Sequence, residues 1–139
     1  MFLRQLITFS FLVCMVATGS PMRVIDGDTF FAVVEVRSTP IWLNGTTLSS
    51  TFLERIRVLG VNSPEMHGDT LAKAIEARNF TAAWLGCVDY ASCKTSKIIT
   101  LCSDKYDNFG RVLSTVKRDD GHDLTADLIS SGNGVVYNP

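Results

Sequence analysis

T-F-F-A-V-V-E-V-R-S-T-P-I-W-L-N-G-T-T-L-S-S-T-F-L-E-R-I-R-V-L-G-V, residues 29–61, reads as two strands and the turn that joins them. Residues 30–36 are mostly β-branched or aromatic, which suits a pleated, half-buried surface. Asn44-Gly45 can adopt the positive φ angles of a two-residue type I′ turn. Pro40, just ahead of it, suits an edge or a bend. The return strand is expected over 52–61. There Arg55 and Arg57 alternate with Ile56 and Val58, so the two arginines share one face.

Upstream, residues 22–25 form a short predicted strand, broken by Asp26-Gly27-Asp28-Thr29. Downstream, residues 62–68 are a loop. Asp69 is expected to cap a helix over 70–85 that ends at Gly86. A fourth strand is expected over 97–102, and Asp107-Asn108-Phe109-Gly110 turns the chain into a fifth over 111–116. Asp123 is placed to cap a short helix in which Leu124 and Leu128 are i,i+4 neighbours, with Gly132 closing it. Residues 135–137 are extended. Three strands, a helix, two strands and a helix make a mainly β, α+β chain. The matching architecture is a five-stranded OB-fold barrel with two to three helices.

The chain has 139 residues, enough for one core. A composition of 46% hydrophobic and 19% charged residues excludes a disordered chain. A formal net charge of −1 excludes a wide positive face of the kind that grips duplex nucleic acid by bulk electrostatics. Arg4, an apolar run over 6–17 and the small residues Ala17, Gly19 and Ser20 have the layout of a secretory leader. Residues 1–19 are therefore expected to be a signal peptide and 20–139 the folded domain. Such a chain would be secreted or periplasmic, with an uncleaved membrane anchor as the alternative. Cys14 leaves with that leader. Cys87 and Cys93 bracket a short polar loop and could pair in an oxidising compartment. Cys102 sits in an apolar strand pattern and reads as a buried thiol.

Three stretches carry charge where chemistry could use it. Asp26-Gly27-Asp28 sets two carboxylates at a strand end, which is oxygen chemistry suited to a hard cation. Arg57 lies inside an apolar strand, followed by the amide, hydroxyl and carboxylate of Asn62, Ser63 and Glu65 around Pro64. Arg111 opens a strand after a turn. Taken singly, each has an ordinary reading: a solvated turn, a salt-bridged barrel residue, a loop carboxylate. Together, two guanidinium groups, one glutamate and one cation would form a phosphodiester site.

The motifs V-I-D-G-D-T (24–29), R-V-L-G-V-N-S-P-E (57–65) and D-N-F-G-R-V-L (107–113), in that order, resemble those of the staphylococcal nuclease, or thermonuclease, family. The segments 76–81 and 124–132 are similar too, so the resemblance spans about residues 22–137. It implies a calcium-dependent nuclease that cuts DNA or RNA and leaves 3′-phosphates. It implies Arg57, Glu65 and Arg111 as catalytic residues, with Asp28, Asn62 and the Ser63 carbonyl on Ca²⁺ and Asp26 in the outer shell. Asn62 stands where the family usually has aspartate, which removes one charge from the calcium site. Asn108 and Phe109 replace a pair that is often basic and tyrosine. The expected partner is a nucleic-acid substrate and the expected state a monomer. The competing expectation is an OB-fold module that binds nucleic acid or protein without cutting it.

Overall fold

A computed structural model describes residues 14–93 and 98–139. The expected leader up to residue 13 and the expected strand start at Lys97 lie outside the described residues. The chain folds as β1 (Met15–Asp26), β2 (Thr29–Ser38), β3 (Leu48–Val58), β4 (Val61–Asn62), α1 (Leu71–Trp84), β5 (Ile99–Tyr106), β6 (Val112–Lys117), α2 (Leu124–Ser130) and β7 (Val135–Val136). Strands β1, β2, β3, β6 and β5 close into a barrel in that order, and β4 pairs with β7 as a separate small ribbon. Only β3 and β6 run parallel; the other barrel neighbours are antiparallel. The protein is thus mainly β, α+β, with an OB-type barrel and two α-helices.

Alternation along the strands fills the barrel. Val24, Phe30, Ala32, Ile56, Val58, Ile99, Leu101 and Val116 are buried inside it. Helix α1 packs against β1 with Ala74, Ala77 and Thr81 buried, and its small residues let the backbones approach closely. Helix α2 inserts Leu124 and Leu128, both fully buried. Asp123 caps α2 as expected, accepting from the Ala126 amide at 3.0 Å. The indole of Trp84 donates to Asp127 at 2.8 Å and ties α1 to α2.

Several boundaries differ from the sequence reading. The β2–β3 connection is not a two-residue turn: a 3-10 turn over Ile41–Leu43 occupies it, although Asn44 and Gly45 do take positive φ values of 51° and 83°. The return strand stops at Val58, because Gly60 at φ 87° turns the chain and frees Val61 and Asn62 to pair with β7. Asp69 does not cap α1. The helix starts from Thr70, whose hydroxyl donates to the carbonyls of Glu65 and His67.

The largest difference lies at the start. The first strand begins at Met15, and every registered β1–β5 pair, from Met15 opposite Ser103 to Gly19 opposite Ile99, uses residues before the expected boundary at Ser20. Those residues close the barrel. Cys102 is also not a free thiol: it is disulfide-bonded to Cys14 across this seam, and Cys87 pairs with Cys93. A chain starting at Ser20 is expected to lose its cooperative thermal transition, while one starting at Cys14 keeps it. Circular dichroism melts of the two truncations check this.

Candidate active site

The turn between β1 and β2 is held from below. Gly27 lies so close to its neighbours that a Cβ placed there would meet the Ser63 Cβ at 2.7 Å and the Ala77 Cβ at 2.9 Å. The Thr81 hydroxyl on α1 donates to the Gly27 carbonyl at 2.6 Å. With the turn pinned, the Asp28 carboxylate is buried beside β3. Its Oδ1 accepts from the Thr29 hydroxyl at 2.9 Å, its Oδ2 from the Ser63 amide at 2.8 Å, and Arg57 Nη2 stands 3.7 Å from the same Oδ2. The Asp26 carboxylate accepts the Asp28 amide at 3.1 Å.

These two carboxylates titrate as a pair. Burial, then the hydrogen bond and negative charge of Asp28, push Asp26 up to about 7. Burial also acts to raise Asp28. It is outweighed by the hydrogen bond with Asp26, the Ser63 amide and the Arg57 charge, so Asp28 is held below the usual carboxylate range.

Arg57 is only 8% exposed. Its Nη1 donates to the carbonyls of Val58 at 2.6 Å and Val61 at 2.7 Å, and its Nη2 donates to the Asn62 side-chain oxygen. The turn at Gly60 brings these carbonyls back over the arginine. The Tyr137 ring lies 5.8 Å from the guanidinium carbon. The Asn62 oxygen expected on a cation is thus bonded to Arg57.

Arg111 is oriented by its own turn. Asp107 accepts the amides of Phe109 and Arg111 with one oxygen and Arg111 Nε with the other, at 2.7 Å. Burial would raise the Asp107 pKa, but these amides and the guanidinium outweigh it and hold the group ionised. Arg55 donates to the Phe109 carbonyl at 2.8 Å, so the neighbouring arginine of β3 fixes the loop that carries Arg111. Glu65 is free of such clamps: its side chain is 78% exposed, with His67 Nε2 at 3.9 Å.

One cleft of about 600 Å³ receives Asp28, Arg57, Asn62, Ser63, Glu65 and Arg111. Three distant stretches of chain therefore meet on one face. Asp26 and Tyr137 line the cleft too, as do Lys105 and Tyr106, which the sequence reading did not single out. The fourth strand was expected to stop at Cys102. It runs to Tyr106 with a register shift between Ser103 and Lys105, and the sequence carries no signal for such a bulge.

The donor set fits a hard divalent cation in kind, since Asp26 and Asp28 bring two carboxylates together with neutral oxygens from Asn62 and Ser63 nearby. It is sparse in charge. Among the described residues no group of three or more His, Cys, Asp and Glu side chains converges. Compared with known protein families and with curated proteins, the chain matches none.

Two outcomes follow from this geometry. Gly27→Ala is expected to destabilise the fold by about 1–3 kcal/mol, because the backbone-anchored neighbours have to move; urea denaturation measures it. The raised pKa of Asp26 sets a pH dependence. The folded chain holds a proton that the unfolded chain releases near the ordinary carboxylate value of 3.8, so this stability is present below that value and is lost as pH rises through about 7. Asp26→Asn keeps the acceptor and removes the titration. In chelator, its urea midpoint is expected to gain on the wild type from pH 4 to about pH 7 and to level off by pH 8.

Proposed function

We propose that this protein is a calcium-dependent nuclease that hydrolyses phosphodiester bonds of DNA or RNA, as the resemblance to the thermonuclease family implies. The observation that carries the reading is the meeting of Asp28, Arg57, Glu65 and Arg111 in one cleft. Two arginines and a glutamate gathered around an acidic turn support that reading.

In this reading the scissile phosphate lies between Arg57 and Arg111. Both guanidinium groups are preorganised by their hydrogen bonds, so they meet the charge that builds on the phosphate oxygens without reorganising. Arginine keeps its proton at any working pH, so neither acts as an acid. Glu65, exposed at the rim, accepts a proton from a water that attacks phosphorus in line. The bond to the 5′-oxygen breaks, that oxygen takes a proton from solvent, and a 3′-phosphate remains. Asp28, with Asp26 behind it and the oxygens of Asn62 and Ser63 beside it, would hold Ca²⁺, which supplies further neutralisation of the phosphate charge. With Asn62 in place of a carboxylate, the cation is held by fewer charges and calcium affinity is low.

Purified full-length chain is expected to cut plasmid DNA with calcium and to stop in chelator. Glu65→Gln, at an exposed position with no structural bonds to lose, is expected to lower turnover by about two orders of magnitude or more. Near wild-type cleavage by that variant removes Glu65 from the mechanism. Calcium-independent binding of single strands with no cleavage by the wild type would instead identify a binding module.

A further inference from the structure

The barrel accounts for only part of the β2–β3 hairpin. Strands β2 and β3 pair from Thr29 opposite Arg57 out to Ser38 opposite Leu48. Strand β1 accompanies β2 only as far as Thr18 opposite Glu35, and β6 accompanies β3 only from Ile56 to Val58. Beyond those limits the hairpin is a two-stranded ribbon that projects from the barrel.

Its tip combines two properties that rarely go together in a water-facing loop. The side chains are apolar and unpacked: Ile41 is 97% exposed and Trp42 78%. Leu48 and Phe52 are exposed on one face of the ribbon and Leu53 on the other. The backbone of the turn, by contrast, is partly paired with itself. Amides of Leu43, Asn44 and Thr46 donate to the carbonyls of Pro40, Ile41 and Leu43 at 3.0, 3.1 and 3.1 Å. The hydroxyls of Thr39 and Thr47 meet at 3.1 Å across the base of the turn. Apolar side chains on a turn whose amides are in part paired suit the lipid interface, where water still reaches the remaining amides.

Charge is withheld from the same region. Residues 38–53 contain no Asp, Glu, Lys or Arg, and Arg37 and Glu54 bracket them. A partner chosen by ion pairing is thereby disfavoured, and so is a nucleic acid. The other uncharged stretch of this length, 5–22, delivers its apolar residues 6–13 to Cys14, where the barrel begins. Because β1 runs antiparallel to β2, the same register carried on brings Met15 level with Ser38. Met15 and Val16 are themselves exposed. The apolar N-terminal segment therefore joins the barrel at the end from which the ribbon projects. The cleft begins nine residues back along that ribbon, at Thr29 and Arg57, roughly 30 Å of strand from Ser38.

From these features we infer that the tip, through Ile41 and Trp42, docks the protein on a lipid bilayer surface. The ribbon is the spacer between the membrane and the cleft. Trp42 is the interfacial anchor, an aromatic side chain of the type that concentrates at the boundary between lipid and water. Docking rests on apolar burial, so it does not need anionic lipid and survives high salt.

The test uses the full chain with phosphatidylcholine vesicles. Trp84 is buried at 6% exposure, so a shift in tryptophan emission reports Trp42. The expected result is co-flotation with vesicles, a blue shift of Trp42 emission, and its quenching by lipids brominated in the acyl chains. Ile41→Ser with Trp42→Ser is expected to weaken partitioning at least tenfold while leaving the urea midpoint unchanged, since neither side chain packs on the fold. Trp42→Phe keeps flotation and loses the blue shift. Flotation without any change in Trp42 emission would mean that the N-terminal segment alone binds lipid, and overturns the proposal. So does failure to float, or a blue shift that grows with protein concentration in the absence of vesicles, which would make a second copy the occupant.

Discussion

A guanidinium withdrawn from water needs acceptors on every side, and Arg57 finds them only if the chain around it is folded in one way. The carbonyls of Val58 and Val61 face the same nitrogen because Gly60 reverses the chain between them. The Asn62 side chain and the Asp28 carboxylate close the other flank. Satisfying this one buried cation therefore fixes the end of β3, the start of β4, and the turn between β1 and β2 relative to one another. The rest of the cleft is arranged around that fixed centre. Asp28 is locked by the Ser63 amide, Gly27 is wedged against Ser63 and Ala77, and β7 pairs with β4 to bring Tyr137 over the arginine.

Much of this was written in local chemistry. Strand alternation around Ile56 and Val58, the Asp123 cap, and the glycines that end helices and turns are all short-range signals, and they gave the element order and the barrel. The residues that meet in the cleft were also legible, but through three motifs in order and not through any single spacing. What escaped the sequence was long-range. The apolar pattern of residues 14–19 suits a leader and a barrel strand equally well, and nothing local in it announces the pairing with β5. The same pairing makes Cys14 and Cys102 partners, which no local rule joins. Lys105 reaches the cleft because of a register shift, a property of two strands together.

The side chain at position 62 decides how Arg57 is compensated. A carboxylate there would place a second negative charge beside Asp28. The amide instead gives its oxygen to Arg57 and leaves the arginine bound almost entirely to neutral acceptors. Asp26 is raised chiefly by burial, then by the hydrogen bond and charge of Asp28. Its nearest charged neighbour is Asp28, whose own compensation comes from Arg57, and the acid pair settles with one proton between them.

The seam between β1 and β5 sets the order of events when the chain is made. Cys14 and Cys102 are 88 residues apart, so the barrel stays open until most of the polypeptide has been synthesised. Contacts of such sequence separation come late in folding and slow it. Until then β1 is an unpaired edge with an apolar face, a species that invites aggregation and calls for a chaperone. The seam can form only once β5 has been made, after β2, β3 and α1, and the barrel closes only when β6 has followed it.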